Sequence, residues 1–153
     1  ARVHDQRILP IMQPAFFWEF GDGYIANYGQ HRADTMFPTR SLLAAGVPVA
    51  GSSDAPVTHA APLFGIEQAL TRATSDGQVC GPEERVDLTT AIRMHTINGA
   101  FASFEETVKG SLEPGKLADL VMLADDIARV PVKELRQLPV AMTVIGGEVV
   151  REV

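Results

Sequence analysis

The chain has 153 residues, of which 46% are hydrophobic and 21% charged, with a formal net charge of −6. That is the composition of a soluble folded domain, and it argues against both a disordered segment and a membrane-spanning one. With no block of Lys or Arg, the sequence also points away from nucleic acid and anionic membranes as partners, and toward a neutral or cationic small molecule.

The opening Ala1-Arg2-Val3-His4-Asp5-Gln6-Arg7 has no signal-peptide pattern, and the expectation is a chain that starts partway through a larger protein. Ile8 to Met12 is an apolar run closed by Gln13-Pro14, which suits a buried strand. From Ala15 to Tyr28 come Phe16, Phe17, Trp18, Phe20, Tyr24 and Tyr28 with two glycines, a pattern that suggests an aromatic loop. It either lines a site or caps a core. Pro38 to Ala45 predicts a short helix stopped by Gly46, and Val47 to Gly51 a second strand. Two short strands joined by a helical crossover make a βα repeat, which implies parallel pairing.

Leu63 to Thr74 carries Ile66, Ala69, Leu70 and Ala73 at the spacing of one buried helix face. Ser75 to Arg85, with Gly77, Gly81 and Pro82, reads as a loop, after which Asp87 caps a helix expected to run to about Ala100. Beyond a turn-rich Gly110 to Lys116, Ala118 to Leu123 predicts a strand. Val140 to Ile145 and Glu148 to Arg151 flank Gly146-Gly147, a two-residue hairpin signal because both central positions need positive φ. The expected organisation is therefore a βα portion over residues 1–105 and a small β portion over 106–153.

Two parallel strands cannot form a covered sheet, and a closed (β/α)₈ barrel takes about 250 residues. Other strands are expected either upstream or from another copy of the chain, so a homo-oligomer is one expectation. The single cysteine, Cys80, rules out an intrachain disulfide, no Cys/His pair has the spacing of a structural zinc site, and a reducing, cytoplasmic setting is the expectation.

The sharpest chemical feature is Gly51-Ser52-Ser53-Asp54-Ala55-Pro56-Val57, an aspartate at the carboxyl end of a buried strand. In a parallel barrel that end is the catalytic face. A carboxylate there can ligate a divalent metal and move a proton from water to a leaving nitrogen. The alternative is an Asx-turn or helix cap, since Asp and Ser are common turn formers.

Gln13-Pro14, Asp22, Arg32, Ser41 to Val49, Ser53 to Val57 and Gly110-Ser111-Leu112-Glu113-Pro114-Gly115-Lys116-Leu117-Ala118-Asp119-Leu120 together resemble the C-terminal part of the amidohydrolase superfamily. The resemblance is to its family 3 group of YtcJ-like and N-substituted formamide deformylase-like proteins, and it runs nearly end to end. It implies an α/β fold: the last two βα units of a metal-dependent hydrolase (β/α)₈ TIM barrel, beside part of a small β-sandwich. Asp54 matches the family's last-strand aspartate, a metal ligand and proton shuttle. The implied cofactor is a divalent metal, zinc with iron or manganese as alternatives, and the implied partner is a small amide-type substrate. The family's His-x-His and its other metal ligands have no counterpart among His4, His31, His59 and His95.

Gln13 and Arg32 match positions with substrate-pocket or loop-ordering roles in the family. Their alternatives are an amide satisfying a strand end and a guanidinium tied to Asp22 or Asp34. His59, close after Asp54, is a candidate substrate contact or a solvated loop residue, and His31, beside Arg32, has the same two readings. His95 lies on an apolar helix face, where a hydrogen-bonded core histidine is expected, and His4 is expected to end the preceding helix. The expected function is the C-terminal segment of a hydrolase of non-peptide C–N bonds, inactive by itself. The competing expectation is a non-catalytic assembly module.

Overall fold

In the computed structural model, which describes residues 2–152, one helical turn, α1 (Arg2–Asp5), precedes strand β1 (Ile11–Met12). Helices α2 (Phe16–Tyr28), α3 (Gln30–Asp34) and α4 (Thr39–Ala44) then lead to β2 (Ala50–Gly51). The two strands pair in parallel, Ile11 opposite Ala50 and Met12 opposite Gly51. Both are shorter than the apolar runs that announced them. Pro10 and Pro48 have no N–H to give a ladder, so regular pairing begins only beyond them.

The aromatic stretch is a helix rather than a loop. Phe17, Gly21, Tyr24 and Ile25 recur at helical spacing, and Phe17 sits in a small core with Ala33 and Cys80 against which Tyr24 and Ile25 pack. Gly21 hides that periodicity in the sequence, but its task is close approach: a Cβ there would stand 2.6 Å from Thr74 Cγ2. Burial of that face outweighs the cost of glycine in a helix interior, about 1 kcal/mol relative to alanine.

Helix α5 (Pro62–Thr71) opens on proline, whose missing N–H costs nothing in a first turn. It ends at Arg72 in the left-handed conformation, φ 51°. Its Ile66 and Ala69 form the main core with Ala91 and Leu135. The single helix expected after Asp87 is two, α6 (Leu88–Met94) and α7 (Ile97–Ala102), broken at Thr96 with φ −128° and ψ −98°. The break lets Asn98 Nδ2 donate to Val49 O at 2.8 Å, fixing α7 to the approach of β2.

Strands β3 (Leu120–Leu123), β4 (Val140–Ile145) and β5 (Glu148–Glu152) form an antiparallel sheet in that order. Gly146 and Gly147 turn the hairpin at φ 58° and 86°, as the dipeptide predicts. Between β3 and β4, a 3₁₀ helix (Val132–Gln137) that the sequence patterning did not announce packs on α5 and places Leu135 in the main core. Residues from both sides of position 105 therefore share one core. Ile11, Val121, Met122, Ile145, Val149 and Val150 remain exposed. Among the described residues, no helix is long and apolar enough to cross a membrane.

Candidate functional site

Parallel pairing puts the carboxyl ends of β1 and β2 on one face, so Gln13-Pro14-Ala15 and Ser52-Ser53-Asp54 emerge side by side. The second turn is held by its serines. Ser52 Oγ accepts from Asp54 N at 3.1 Å and Ser53 Oγ from Ala55 N at 3.3 Å. Thr58 Oγ1 donates to Ser53 O at 2.5 Å and Val57 N to Asp54 O at 2.8 Å. The structural work of the turn thus falls to hydroxyls and backbone, and the Asp54 carboxylate is exposed, with no hydrogen bond or ion pair recorded among the described residues. Asp54 is held at φ 53°, a left-handed conformation that Asp tolerates better than most residues.

A cavity of about 260 Å³ lies against this turn, lined by Ser52, Ser53, His59, Gly51, Gly65 and His95 among others. His95, at the end of α6, lodges between strand and helix. A Cβ on Gly51 would come within 2.6 Å of its Nε2, and one on Gly65 within 2.7 Å of its Cε1. Both glycines exist to admit the ring. Burial holds its pKa below the ordinary histidine value, which favours the neutral imidazole. His95 is half-buried at the cavity wall rather than a hydrogen-bonded core residue, and its Nε2 has no hydrogen-bond partner among the described residues.

His59 is exposed on the rim, where it also borders a second cavity of about 330 Å³ with Trp18, Glu19, Ala61, Phe64 and Arg136. Gln13 Nε2 donates to Ile11 O at 3.3 Å, the strand-end amide role. Arg32 lies on the exposed side of α3 beside the equally exposed His31, its guanidinium 5.7 Å from the Tyr28 ring centroid. The carboxylates considered as its partners are engaged elsewhere. Asp22 accepts from Ser75 Oγ, Asp76 N and Gln78 Nε2 at 3.0, 3.1 and 2.9 Å, and Asp34 from Gln30 Nε2 and Gly81 N, each at 2.7 Å. Desolvation works to raise the Asp22 pKa, yet these bonds and one from Thr74 outweigh it and hold it below the ordinary value. His4 is an exposed residue of α1. The structure thus gathers His59 with the Asp54 turn and leaves Arg32 apart.

Two features escaped the sequence patterning because their parts are distant in the chain. Arg72 is 3% exposed and donates only to carbonyls: Nε to Cys80 O at 2.5 Å, Nη1 to Phe37 O at 3.0 Å and Nη2 to Met36 O at 2.8 Å. Its guanidinium lies 4.2 Å from the Phe17 ring centroid. Desolvation is the main cause that lowers its pKa, to about 10, against the attraction of Glu84. Glu67, 1% exposed on α5, accepts from Arg136 Nε at 2.9 Å and from its backbone N at 3.1 Å. A buried glutamate was the only available signal for the second pair, and burial is not legible without the fold.

No group of three or more His, Cys, Asp or Glu among the described residues is placed to hold a metal ion. A catalytic divalent ion takes about three protein ligands. Asp54 could serve as one such ligand, and the described residues do not complete the set.

Comparison with known proteins is consistent along the chain. The model of the amidohydrolase family matches residues 1–151. N-substituted formamide deformylase of Arthrobacter pascens is 35% identical over 95% of this chain and 27% of its own length. The putative amidohydrolase YtcJ of Bacillus subtilis is 31% identical over 92% of the chain and 27% of its own length. The chain thus spans about a quarter of these relatives. An uncharacterized metal-dependent hydrolase from Pyrococcus furiosus superposes with a TM-score of 0.61 at 27% identity, over 75% of this chain and 23% of that one. With the family model covering all but the last two residues, the chain belongs to the amidohydrolase family.

Proposed function

We propose that this chain is the C-terminal portion of a metal-dependent amidohydrolase that cleaves a non-peptide C–N bond in a small amide, formamide or cyclic amide. The observation that carries the reading is Asp54: a carboxylate at the carboxyl end of a parallel strand, left free by a turn that Ser52 and Ser53 hold without it. In this reading residues 1–105 supply the last two βα units of a (β/α)₈ barrel and 106–153 part of a β-sandwich. The metal, zinc or else iron or manganese, would draw its other ligands from a longer polypeptide.

Asp54 would take the proton released as water attacks the carbonyl carbon and deliver it to the departing nitrogen, which then leaves as an amine. His59, on the rim of the same cavity, would meet the substrate, and Gln13 would order the end of the neighbouring strand. Arg32, away on α3, would order its own loop. The exposed apolar residues of β1 and of the β3–β5 sheet support a second reading, an assembly module, in which the chain alone forms a defined oligomer.

The test is amine release from a panel of N-substituted formamides and amides by the longer metal-loaded polypeptide and its Asp54→Asn variant. Loss of a general acid–base group lowers turnover by about 10²- to 10⁴-fold. Near-normal turnover in the variant overturns the assignment. A defined oligomer of the chain alone in light scattering favours the assembly reading.

A further inference from the structure

The second cavity, which meets the one beside the Asp54 turn at His59 and Ala61, has an unusual wall. Trp18, from the first turn of α2, meets Phe64 of α5 edge to face, with centroids 6.1 Å apart and planes at 80°. The Arg136 guanidinium, arriving from the 3₁₀ helix before β4, lies 4.0 Å from the Trp18 centroid and 4.9 Å from that of Phe64. It is not free to swing. Nη2 stands 2.6 Å from Glu67 Oε1 and Nε 2.9 Å from the same oxygen. Nη1 has no partner among the described residues, and the side chain is 28% exposed. Three flat groups are thus fixed in place around one pocket, with unused N–H donors on the outer one.

From this arrangement we infer that Trp18, Phe64 and Arg136 form a subsite for an uncharged aromatic ring bearing a carbonyl. The ring would pack on the aromatic and guanidinium faces, and the carbonyl oxygen would accept from Arg136 Nη1. Charge decides against an anion: Glu67 already neutralises Arg136, and Glu19 stands on the rim. An aromatic cation would have to sit against the guanidinium itself. A cavity of about 330 Å³ accommodates a substituted benzene ring, and its shared border with the Asp54-side cavity, His59 and Ala61, would hold such a ring next to the proposed reaction face. Naming aromatic amides as the substrate class rests on the function proposed above, whereas the binding itself does not.

Benzamide, titrated calorimetrically into the longer polypeptide, is expected to bind saturably, with cyclohexanecarboxamide, benzoate and benzylamine each at least about fivefold weaker. Arg136→Lys keeps a cation for Glu67 but removes the planar face and its fork of donors. It is expected to weaken benzamide at least about fivefold while the far-ultraviolet circular dichroism is unchanged, and Phe64→Leu provides a second, independent loss. No saturable response to benzamide, equal response to the cyclohexyl analogue, or undiminished binding in both variants overturns the subsite. Any of these leaves Asp54-dependent hydrolysis untouched, and loss of hydrolysis with benzamide binding intact overturns the proposed function alone.

Discussion

Arg136 reaches back across 69 residues to put its Nη2 2.6 Å from Glu67 Oε1, joining the segment before β4 to the middle of α5. The two partners are unequally buried, 1% exposed for the Glu67 side chain and 28% for Arg136. That inequality makes the cost of breaking the pair depend on which side is removed.

Arg136→Met leaves an unpaired carboxylate in the core, and loss of one partner of a buried pair costs about 3–5 kcal/mol. Glu67→Gln leaves a guanidinium that can still reach water, so it is expected to cost less than Arg136→Met. Urea denaturation of the two variants checks the order. Equal losses would mean that the carboxylate is not the buried member.

Gly51→Ala and Gly65→Ala each force a methyl group to within 2.7 Å of the His95 ring. Overpacking of this kind costs about 1–3 kcal/mol. Adding His95→Ala to either variant removes the ring the methyl would strike, so the double variants should lose less than the sum of their singles. The same burial makes stability depend on pH. The folded-state pKa of His95 lies below the ordinary histidine value of 6.5, so the unfolded chain binds more protons in the interval between them. Stability contributed here falls as pH drops through 6.5 toward the folded value, and His95→Phe should flatten that slope.

Arg72→Lys keeps the charge but cannot serve three carbonyls on separate segments from one planar fork. Each carbonyl left without its donor costs about 1–3 kcal/mol where it is buried. The expected result is a lowered denaturation midpoint, with early hydrogen exchange concentrated at residues 36–37 and 80, the segments that Arg72 binds. Uniform acceleration throughout the chain would contradict a local tie.

Asp87 caps α6, its Oδ1 accepting from Thr90 N at 2.7 Å. Asp87→Ala is expected to cost about 1 kcal/mol. Hydrogen bonds from the Thr90 backbone and side chain, the leading causes, hold its pKa below the ordinary aspartate value of 3.8 despite some desolvation. The cap's contribution is therefore present above 3.8 and disappears as pH falls through the lower folded value. Thermal melts of wild type and Asp87→Ala should converge in acid, and a gap that persists at the lowest pH would show that the cap is not charge-dependent.

What the sequence determined by itself is what lies close along the chain. Proline and glycine punctuation located α4 and the Gly146-Gly147 hairpin, the 3.6-residue period located α5, and Asp87 marked the start of α6, because each signal is encoded within a few residues. The family motifs, including the turn that carries Asp54, were legible for the same reason.

Tertiary structure decided everything that depends on a distant partner. Gly21 looked like a loop residue until Thr74 came against it, and the helix after Asp87 broke where Asn98 could reach Val49 O. The free state of the Asp54 carboxylate depended on whether Ser52 and Ser53 would take over the turn, and nothing in the spacing chose between them. Glu67 with Arg136, and Arg72 with its three carbonyls, are polar groups in ordinary surface-like contexts. Only folding withdraws them from water, and desolvation then obliges each to find the partners it has.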